Sequence, residues 1–153
     1  MEQGGTTANY NGNSLENFIE HKLNELGYKF IDKKKFEPAI YLEQPIYSKQ
    51  VYICRSIYDT TVYCDFILYH PKKHKECLII ESKWQQSKGS VDEKYPYLIL
   101  NIQHKYPHKT LLVIDGGGYK ENALKWLKKQ VGNNLIGVMN MSEFQIWANK
   151  GKI

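Results

Sequence analysis

The sequence predicts an α/β domain, and two observations lead to this fold class. Three segments rich in β-branched and aromatic residues follow one another across short turns, which indicates an antiparallel meander. After the meander, helical segments alternate with short apolar strands, which indicates strand–helix–strand units whose strands pair in parallel. The expected product is a mixed sheet, with antiparallel and parallel strands, flanked by helices.

The first element is a helix over the segment "NSLENFIEHKLNELG", in which apolar residues recur at helical spacing. Asn13 or Ser14 is placed to cap its start. On a helical projection, Glu16 falls at the edge of the apolar stripe, and Glu20 lies further round toward solvent.

The meander consists of the segments "QVYICRSI", "TTVYCDFILY" and "ECLIIESKW". The stretch "YDTT" suits the first connection and "HPKKHK" the second, because both contain polar residues that form turns. The third strand is apolar for most of its length, so the polar residues at its end need a separate explanation.

The second half of the chain begins with a helix at "GSVDEK", where Ser90 and Glu93 have the spacing of a capping box. Pro96 lies too deep for an unperturbed helix, so the helix is expected to kink or restart there. The remaining elements are, in order, the strand "TLLVID", the helix "YKENALKWLKKQV", the strand "LIGVM" and the helix "SEFQIWAN".

Length and composition fit one folded domain with a modestly basic surface. The chain has 153 residues, 42% of them hydrophobic, and a formal net charge of +5, which argues against disorder and permits a polyanionic partner. Residues 1–12 are expected to form a flexible tail before a single domain over residues 13–153. No apolar run reaches the length of a membrane span. Three cysteines without a C-x-x-C pair predict buried thiols, a cytoplasmic location and no zinc site.

The polar end of the third strand places Glu81, Lys83 and Gln85 at every second position, and therefore on one face. If the preceding turn centres near Lys73, Asp65 pairs with Glu81 across the hairpin, with Cβ atoms about 5 Å apart. Two adjoining carboxylates repel each other unless a cation lies between them, and Mg²⁺ prefers such oxygen ligands. Lys83 is then placed to contact a phosphate oxygen or to polarise a water molecule.

Two interpretations of this cluster stay open on spacing alone. One is a metal-dependent centre that hydrolyses a phosphodiester bond. The other is a cross-strand salt bridge of Asp65, Glu81 and Lys83 on an exposed face. The context favours the first, because both carboxylates interrupt segments that otherwise have the pattern of buried strands.

Asp65, followed by "ESK" at the end of the apolar third strand, resembles the PD-(D/E)XK nuclease superfamily. That superfamily includes type II restriction endonucleases and archaeal Holliday-junction resolvases. The order of helix, three-strand meander, helix and strand is similar to its core, from Ser14 to about Trp147. The resemblance implies the restriction endonuclease-like three-layer core. Cys64 stands where many members have a proline before the aspartate.

The resemblance also implies roles for individual residues. Asp65, Glu81 and Lys83 match the motif itself. Glu16 matches a glutamate of the first helix that faces the metal site in many members, and Gln85 matches the E-x-K-x-Q extension of some subfamilies. These five are the expected catalytic residues. The implied ligands of a Mg²⁺ ion, or of Mn²⁺ as a substitute, are Asp65, Glu81, Glu16 and the carbonyl of Ser82.

The function that the resemblance implies is metal-dependent hydrolysis of DNA by a small endonuclease. A homodimer, or a subunit of a larger restriction or defence system, is the expected assembly, since two centres would act on two strands. A Holliday-junction resolvase or a nicking nuclease is the alternative within the same class. A non-catalytic nucleic-acid-binding module and a structural protein with a salt-bridged sheet are the alternatives outside it.

Residues that follow the motif lysine are candidates for DNA contact. The loop at Lys88 and the helix start at Ser90 are expected to hold a phosphate, supported by Lys94, and Lys120 lies on a basic helix face. An ordinary capped helix with solvated lysines explains the same residues equally well. The glycines at 116–118 match no nucleotide-binding fingerprint and indicate either a tight turn or a close approach of the backbone to DNA.

Overall fold

Residues 3–87 and 90–153 are described by the computed structural model, and they contain a six-stranded mixed sheet, as the sequence predicts. The strands are β1 Lys29–Phe30, β2 Ile46–Arg55, β3 Thr61–His70, β4 His74–Trp84, β5 Lys109–Asp115 and β6 Leu135–Met139. Their order in the sheet is their order in the chain. β2, β3 and β4 form the antiparallel meander, while β1 pairs in parallel with β2, and β5 joins β4 and β6 in parallel.

Helices pack on both faces of this sheet. They are α1 Gln3–Glu25, α2 Phe36–Ala39, α3 Tyr95–His104, α4 Glu121–Lys129 and α5 Met141–Asn149. α1 and α5 share one apolar layer with the sheet, whereas α2, α3 and α4 contribute to the layer on its other face. The predicted three-layer arrangement is therefore confirmed.

The apolar stripe of α1 fixes this helix against the meander. Leu15, Ile19 and Leu23 are fully buried and belong to the same cluster as Phe66 of β3 and Ile80 of β4. Burying each such side chain stabilises the fold by about 1.5–3 kcal/mol. Glu16 follows Leu15 in the chain, so this packing carries it to the edge of the sheet.

Several boundaries differ from the predicted ones. α1 begins at Gln3, so Asn13 and Ser14 lie inside the helix and do not cap it. Between α1 and β2 the chain forms β1, α2 and a 3-10 turn at Ile40–Leu42, which hydrophobic periodicity does not predict. These elements have only two to four residues, too few for either period to repeat.

The helix that follows β4 restarts at Pro96, as expected. Ser90–Lys94 forms a 3-10 turn, and α3 begins at Tyr95 with Pro96 in its first turn. Proline is tolerated there because the first N–H groups of a helix have no intrahelical partner.

Pairing of β3 with β4 has the predicted register next to the polar cluster. Phe66 lies opposite Ile80, which is the neighbouring position to the expected pair of Asp65 and Glu81. Both carboxylates are thereby brought to the same end of the hairpin.

The turn that produces this register is tighter than predicted. His70 pairs with His74, so the turn centres before Lys73, and a register shift follows along the hairpin. Cys77 has a positive φ of 71°, a conformation typical of a bulge. The bulge restores the pairing that a turn centred at Lys73 would give.

The cysteines only partly match their prediction. Cys64 is buried, whereas Cys54 and Cys77 are partly exposed, and all three are free thiols. In the part of the chain that the structure describes, no helix combines the length and apolar character needed to cross a membrane.

Candidate active site

Asp65 lies where the hydrogen-bonded ladder between β3 and β4 stops. The ladder ends at Phe66 and Ile80, and beyond them the Asp65 side chain bonds to the neighbouring strands. Its Oδ2 accepts a hydrogen bond from the backbone N–H of Ser82 at 2.8 Å, and its Oδ1 accepts one from Gln50 Nε2 at 3.4 Å. These two bonds hold the carboxylate in the opening between the strands.

Glu81 is a buried carboxyl group on β4, only 3% exposed. Its Oε1 accepts a hydrogen bond from the Tyr106 hydroxyl at 3.1 Å, and its carboxyl group also bonds to that of Asp65. Burial, followed by the charge of Asp65, raises the pKa of Glu81 well above its ordinary value, while Lys83 opposes the rise. The two carboxyl groups thus adjoin at the end of the hairpin.

Lys83 lies two residues beyond Glu81 on the same face of β4, and both residues line a cleft of about 490 Å³. We call it the carboxylate cleft. Tyr95 and Tyr97 at the start of α3 also line it, as does Lys94 just before that helix. The cleft opens the surroundings of Glu81 and Lys83 to solvent.

A second group of charges lies between α1 and β2, centred on Lys49. Its ammonium nitrogen is 3.3 Å from Glu20 Oε1 and 4.0 Å from Glu16 Oε2, and the Tyr47 hydroxyl donates to Glu20 Oε2 at 2.6 Å. Burial raises the pKa of Glu16, Asp65 raises it further, and Lys49 opposes the rise. Glu16 is therefore close enough to Asp65 for their charges to interact, while its ion pair with Lys49 directs it toward β2.

Gln85 continues the row of Glu81 and Lys83 but does not join the carboxylates. Its amide is 2% exposed; the Tyr95 hydroxyl donates to its Oε1 at 2.7 Å, and its Nε2 donates to the Gly118 carbonyl at 3.3 Å. These bonds join the end of β4 to α3 and to the loop after β5. These contacts give Gln85 a structural part in holding the end of β4, and its expected catalytic role stays a prediction.

The glycines after β5 allow two backbone segments to touch. A Cβ atom on Gly116 would lie 2.4 Å from the Gln85 carbonyl oxygen, and one on Gly118 would lie 2.4 Å from the Ser87 nitrogen. The close approach is therefore to the end of β4. Asp115, just before the glycines, accepts a hydrogen bond from the N–H of Met141 at 3.0 Å and so helps to fix the start of α5.

The residues predicted to contact DNA have different outcomes. Lys94 and Lys120 are exposed, and Lys94 lines the carboxylate cleft. Ser90 begins a 3-10 turn, and the α-helix starts only at Tyr95. A phosphate contact at Ser90 stays a prediction. Lys88 lies outside the described residues.

The chemistry of the donor groups fits a hard divalent cation, although three carboxylates do not converge as expected. Within residues 3–87 and 90–153, no three acidic, histidine or cysteine side chains are grouped to hold a metal ion. Asp65 and Glu81 adjoin, whereas Lys49 holds Glu16 to one side. The raised pKa of Glu81 shows that a positive charge beside the pair would be stabilising.

The backbone of Ser82 offers a further oxygen donor. Its N–H points to Asp65, and in a strand the N–H and C=O of one residue point to the same side. The Ser82 carbonyl therefore faces the opening between β3 and β4. Two carboxylates and one carbonyl form the set of hard oxygen donors that Mg²⁺ or Mn²⁺ takes.

These features define a class of protein: an α/β fold in which a buried glutamate, a partly exposed aspartate and a lysine lie at the divided end of a meander. The sequence pattern of a PD-(D/E)XK nuclease superfamily domain matches residues 7–152. The chain therefore belongs to the PD-(D/E)XK nuclease superfamily, whose nucleases generally use divalent metal ions. No curated protein and no solved structure is significantly similar to the chain.

Three residues of the site are absent from the sequence-based prediction. Lys49 precedes the predicted first strand of the meander, Glu20 is expected toward solvent, and Tyr106 has no predicted role. The spacing of Glu16 and Glu20, one helical turn apart, is the one available signal, because side chains at that spacing share a face. Tyr106 and Lys49 meet their partners only through the tertiary fold.

Proposed function

We propose that the protein is a divalent-metal-dependent endonuclease that hydrolyses phosphodiester bonds in DNA. The observation that carries this proposal is the buried Glu81 next to the partly exposed Asp65, with Lys83 beside Glu81 in an open cleft. A structural salt bridge would pair the carboxylates with lysine at the surface, where little desolvation occurs. Here burial dominates the rise in the pKa of Glu81, which a surface pair does not explain.

Each residue of the centre has a distinct task in this proposal. Asp65, Glu81 and the Ser82 carbonyl hold the cation, Mg²⁺ or Mn²⁺. A bound divalent ion supplies a Lewis acid that activates water and stabilises charge on the phosphate. Lys83 adds a positive charge next to the attacked phosphate and assists the attacking water. Tyr106 fixes the Glu81 carboxyl group through its hydroxyl hydrogen bond.

Glu16 acts from the α1 side in this proposal. The negative charges of Glu16 and Asp65 interact, and together they favour a cation between α1 and β3. Lys49 limits how far Glu16 can move toward the pair, since its ammonium group contacts both Glu16 and Glu20. We expect Glu16 to contribute less than Asp65 or Glu81.

The proposed setting follows from the chemistry of cutting DNA. Cleavage of both strands of a duplex needs two centres, so we propose a homodimer or a subunit of a larger restriction or defence system, acting in the cytoplasm. A resolvase or a nicking nuclease would use the same centre on a different form of DNA.

Incubation of the purified protein with DNA tests this proposal. Supercoiled plasmid and labelled duplex, branched and single-stranded DNA are each treated with Mg²⁺ or Mn²⁺, and products are resolved on gels. We expect metal-dependent cleavage of at least one form, with Asp65→Asn and Lys83→Ala each lowering the rate by about a hundredfold or more.

Lys125→Ala is the matched control, because Lys125 is a surface lysine of α4 paired with Glu121. It should cleave at the wild-type rate. The proposal is wrong if the wild type cleaves none of these DNA forms with either metal, or if Lys83→Ala and Lys125→Ala cleave equally fast.

A further inference from the structure

The carboxylate cleft is bordered by two pairs of tyrosines that belong to different elements. Tyr52 of β2 and Tyr63 of β3 pair across the strands, with ring centroids 6.1 Å apart and ring planes at 70°. Tyr58 and Tyr97 stack, with centroids 4.9 Å apart and planes at 26°. Tyr63 and Tyr97 line the cleft itself, so each pair contributes one ring to it.

These rings are exposed to a degree that the core does not require. Tyr58 is 73% exposed, Tyr63 53% and Tyr52 51%. The Tyr97 hydroxyl lies beside Ser56, Thr60 and Asn101, whose side chains lower its pKa. Rigid aromatic faces at the mouth of a cleft are suited to stacking against another flat ring.

Positive charge accompanies the tyrosines on both sides of the reacting centre. Tyr63 lines the carboxylate cleft and also a second pocket, of about 330 Å³, lined by Lys33, Lys34 and Gln50. Gln50 is the residue whose amide donates to Asp65. The lysines of the second pocket are exposed, as is Lys94 at the carboxylate cleft. A chain of phosphates passing Asp65 and Glu81 would meet lysines before and after them.

We propose, resting on the function proposed above, that the centre acts on DNA with unpaired bases, which stack on Tyr58 and Tyr63 while the lysines contact the backbone. In a duplex, the base faces are covered by their neighbours, so only phosphates and groove edges are available to a protein. Single-stranded DNA presents free base faces, and aromatic side chains combined with a basic groove bind it independently of sequence. The exposed tyrosines have no such role on an intact duplex.

Binding measurements without cleavage test this proposal. Fluorescence anisotropy is recorded in EDTA with a labelled single-stranded oligonucleotide and with a duplex of the same length. We expect the single strand to bind at least about fivefold more tightly, and Tyr58→Leu and Tyr63→Leu each to weaken its binding by about fivefold or more. Duplex binding should change little in either variant.

Two controls separate stacking from general damage. Tyr58→Phe and Tyr63→Phe retain the ring and should retain wild-type binding. Tyr41→Leu removes another exposed tyrosine that lines neither pocket next to the centre, and it should also bind as the wild type. The proposal is overturned if the duplex binds as tightly as the single strand, or if the Leu variants at 58 and 63 match Tyr41→Leu.

Photocrosslinking gives a second readout that needs no variant. An oligonucleotide with 5-iodouracil is irradiated with the wild-type protein, and crosslinked peptides are identified by mass spectrometry. We expect crosslinks at Tyr58 or Tyr63, and crosslinks confined to other surfaces contradict the proposal. If the binding and crosslinking results are negative but the protein still cleaves duplex DNA with metal, the preference for unpaired bases is rejected and the nuclease function stands. If single-stranded DNA binds to the tyrosines as expected but no DNA is cleaved, the nuclease function is rejected.

Discussion

At the scale of single residues, the pKa of Glu81 is the property on which the proposed cation site depends. Burial and Asp65 favour its protonated form, and Lys83 and the Tyr106 hydroxyl favour its ionised form. The first two effects are the larger, so the pKa of Glu81 is raised. Binding of a divalent ion would favour the ionised form, because the ligand form of a carboxyl group is the anion.

A glutamine at position 81 should separate metal binding from folding. Glu81→Gln keeps the shape but not the charge, so we expect metal-free stability at neutral pH to stay equal to that of the wild type or to rise by about 1 kcal/mol. Saturating Mg²⁺, at about a hundred times its dissociation constant, should stabilise the wild type by about 2.7 kcal/mol and the variant far less. Thermal unfolding with Mg²⁺ or EDTA measures both.

Glu76→Gln is the control for this measurement, because Glu76 is an exposed acid on the same strand. It should keep the wild-type response to Mg²⁺. An equal Mg²⁺ response in Glu81→Gln and the wild type would remove Glu81 from the metal site.

At the scale of elements, the end of β4 is positioned by the loop that follows β5. The N–H of Gln85 donates to the Asp115 carbonyl at 2.9 Å, and the N–H of Gly118 donates to the Gln85 carbonyl at 2.7 Å. The Gln85 side chain adds bonds to Tyr95 and Gly118. Lys83 lies two residues before this junction, so its position depends on two parallel strands remaining tied together.

A methyl group at position 118 should disturb this junction. In Gly118→Ala the new Cβ would clash with the backbone at Ser87, which must move, so we expect a loss of about 1–3 kcal/mol in the free energy of unfolding. Cleavage by the folded variant should also fall, because the end of β4 shifts. Chemical denaturation and the plasmid assay measure the two effects.

Gly117→Ala distinguishes a clash from backbone strain. Gly117 has a φ of 73°, but a Cβ there meets nothing within 4 Å. Gly117→Ala should therefore lower the free energy of unfolding by about 1 kcal/mol and retain cleavage. A Gly118→Ala protein as stable and active as Gly117→Ala would show that the junction tolerates displacement.

At the scale of the whole molecule, two partly buried histidines make stability depend on pH. Burial is the main cause that lowers the pKa of His74, at the start of β4, and of His108, just before β5. In the unfolded chain both groups return to about 6.5. Below that pH the unfolded chain binds more protons than the folded one, so the stability that neutral histidine contributes is lost as pH falls.

The two histidines should therefore lower stability as pH falls below about 6.5, each with a limiting slope of about 1.4 kcal/mol per pH unit, while the raised pKa of Glu81 has the opposite effect and offsets part of the decline. His74→Gln should flatten part of this decline. His104→Gln, at an exposed position on the last turn of α3, should leave it unchanged. Denaturation midpoints of the wild type, His74→Gln and His104→Gln are measured across this pH range. An identical dependence of stability on pH in all three would contradict the assignment to His74.

The sequence alone determined the identity of the longer elements and the face on which the motif residues lie. The alternation of Glu81 and Lys83 is a local property of any strand, and the apolar stripe that carries Glu16 is a local property of the helix. The register of Asp65 agrees with the prediction only because the bulge at Cys77, which no sequence pattern indicates, compensates for the tighter turn and preserves the pairing next to Ile80. The face on which a side chain lies follows from a period of two residues in a strand or 3.6 residues in a helix, so it can be predicted from the local sequence.

The tertiary structure alone decided which of those polar groups meet and which are occupied elsewhere. Gln85 obeys the same alternation as Glu81, yet its amide is bound by Tyr95 and Gly118, residues brought near it only by the packing of α3 and β5. Lys49 and Tyr106 likewise reach their carboxylates across the fold. The physical reason is that hydrogen bonds and ion pairs depend on distances of a few ångströms between segments distant in sequence, which no local pattern encodes.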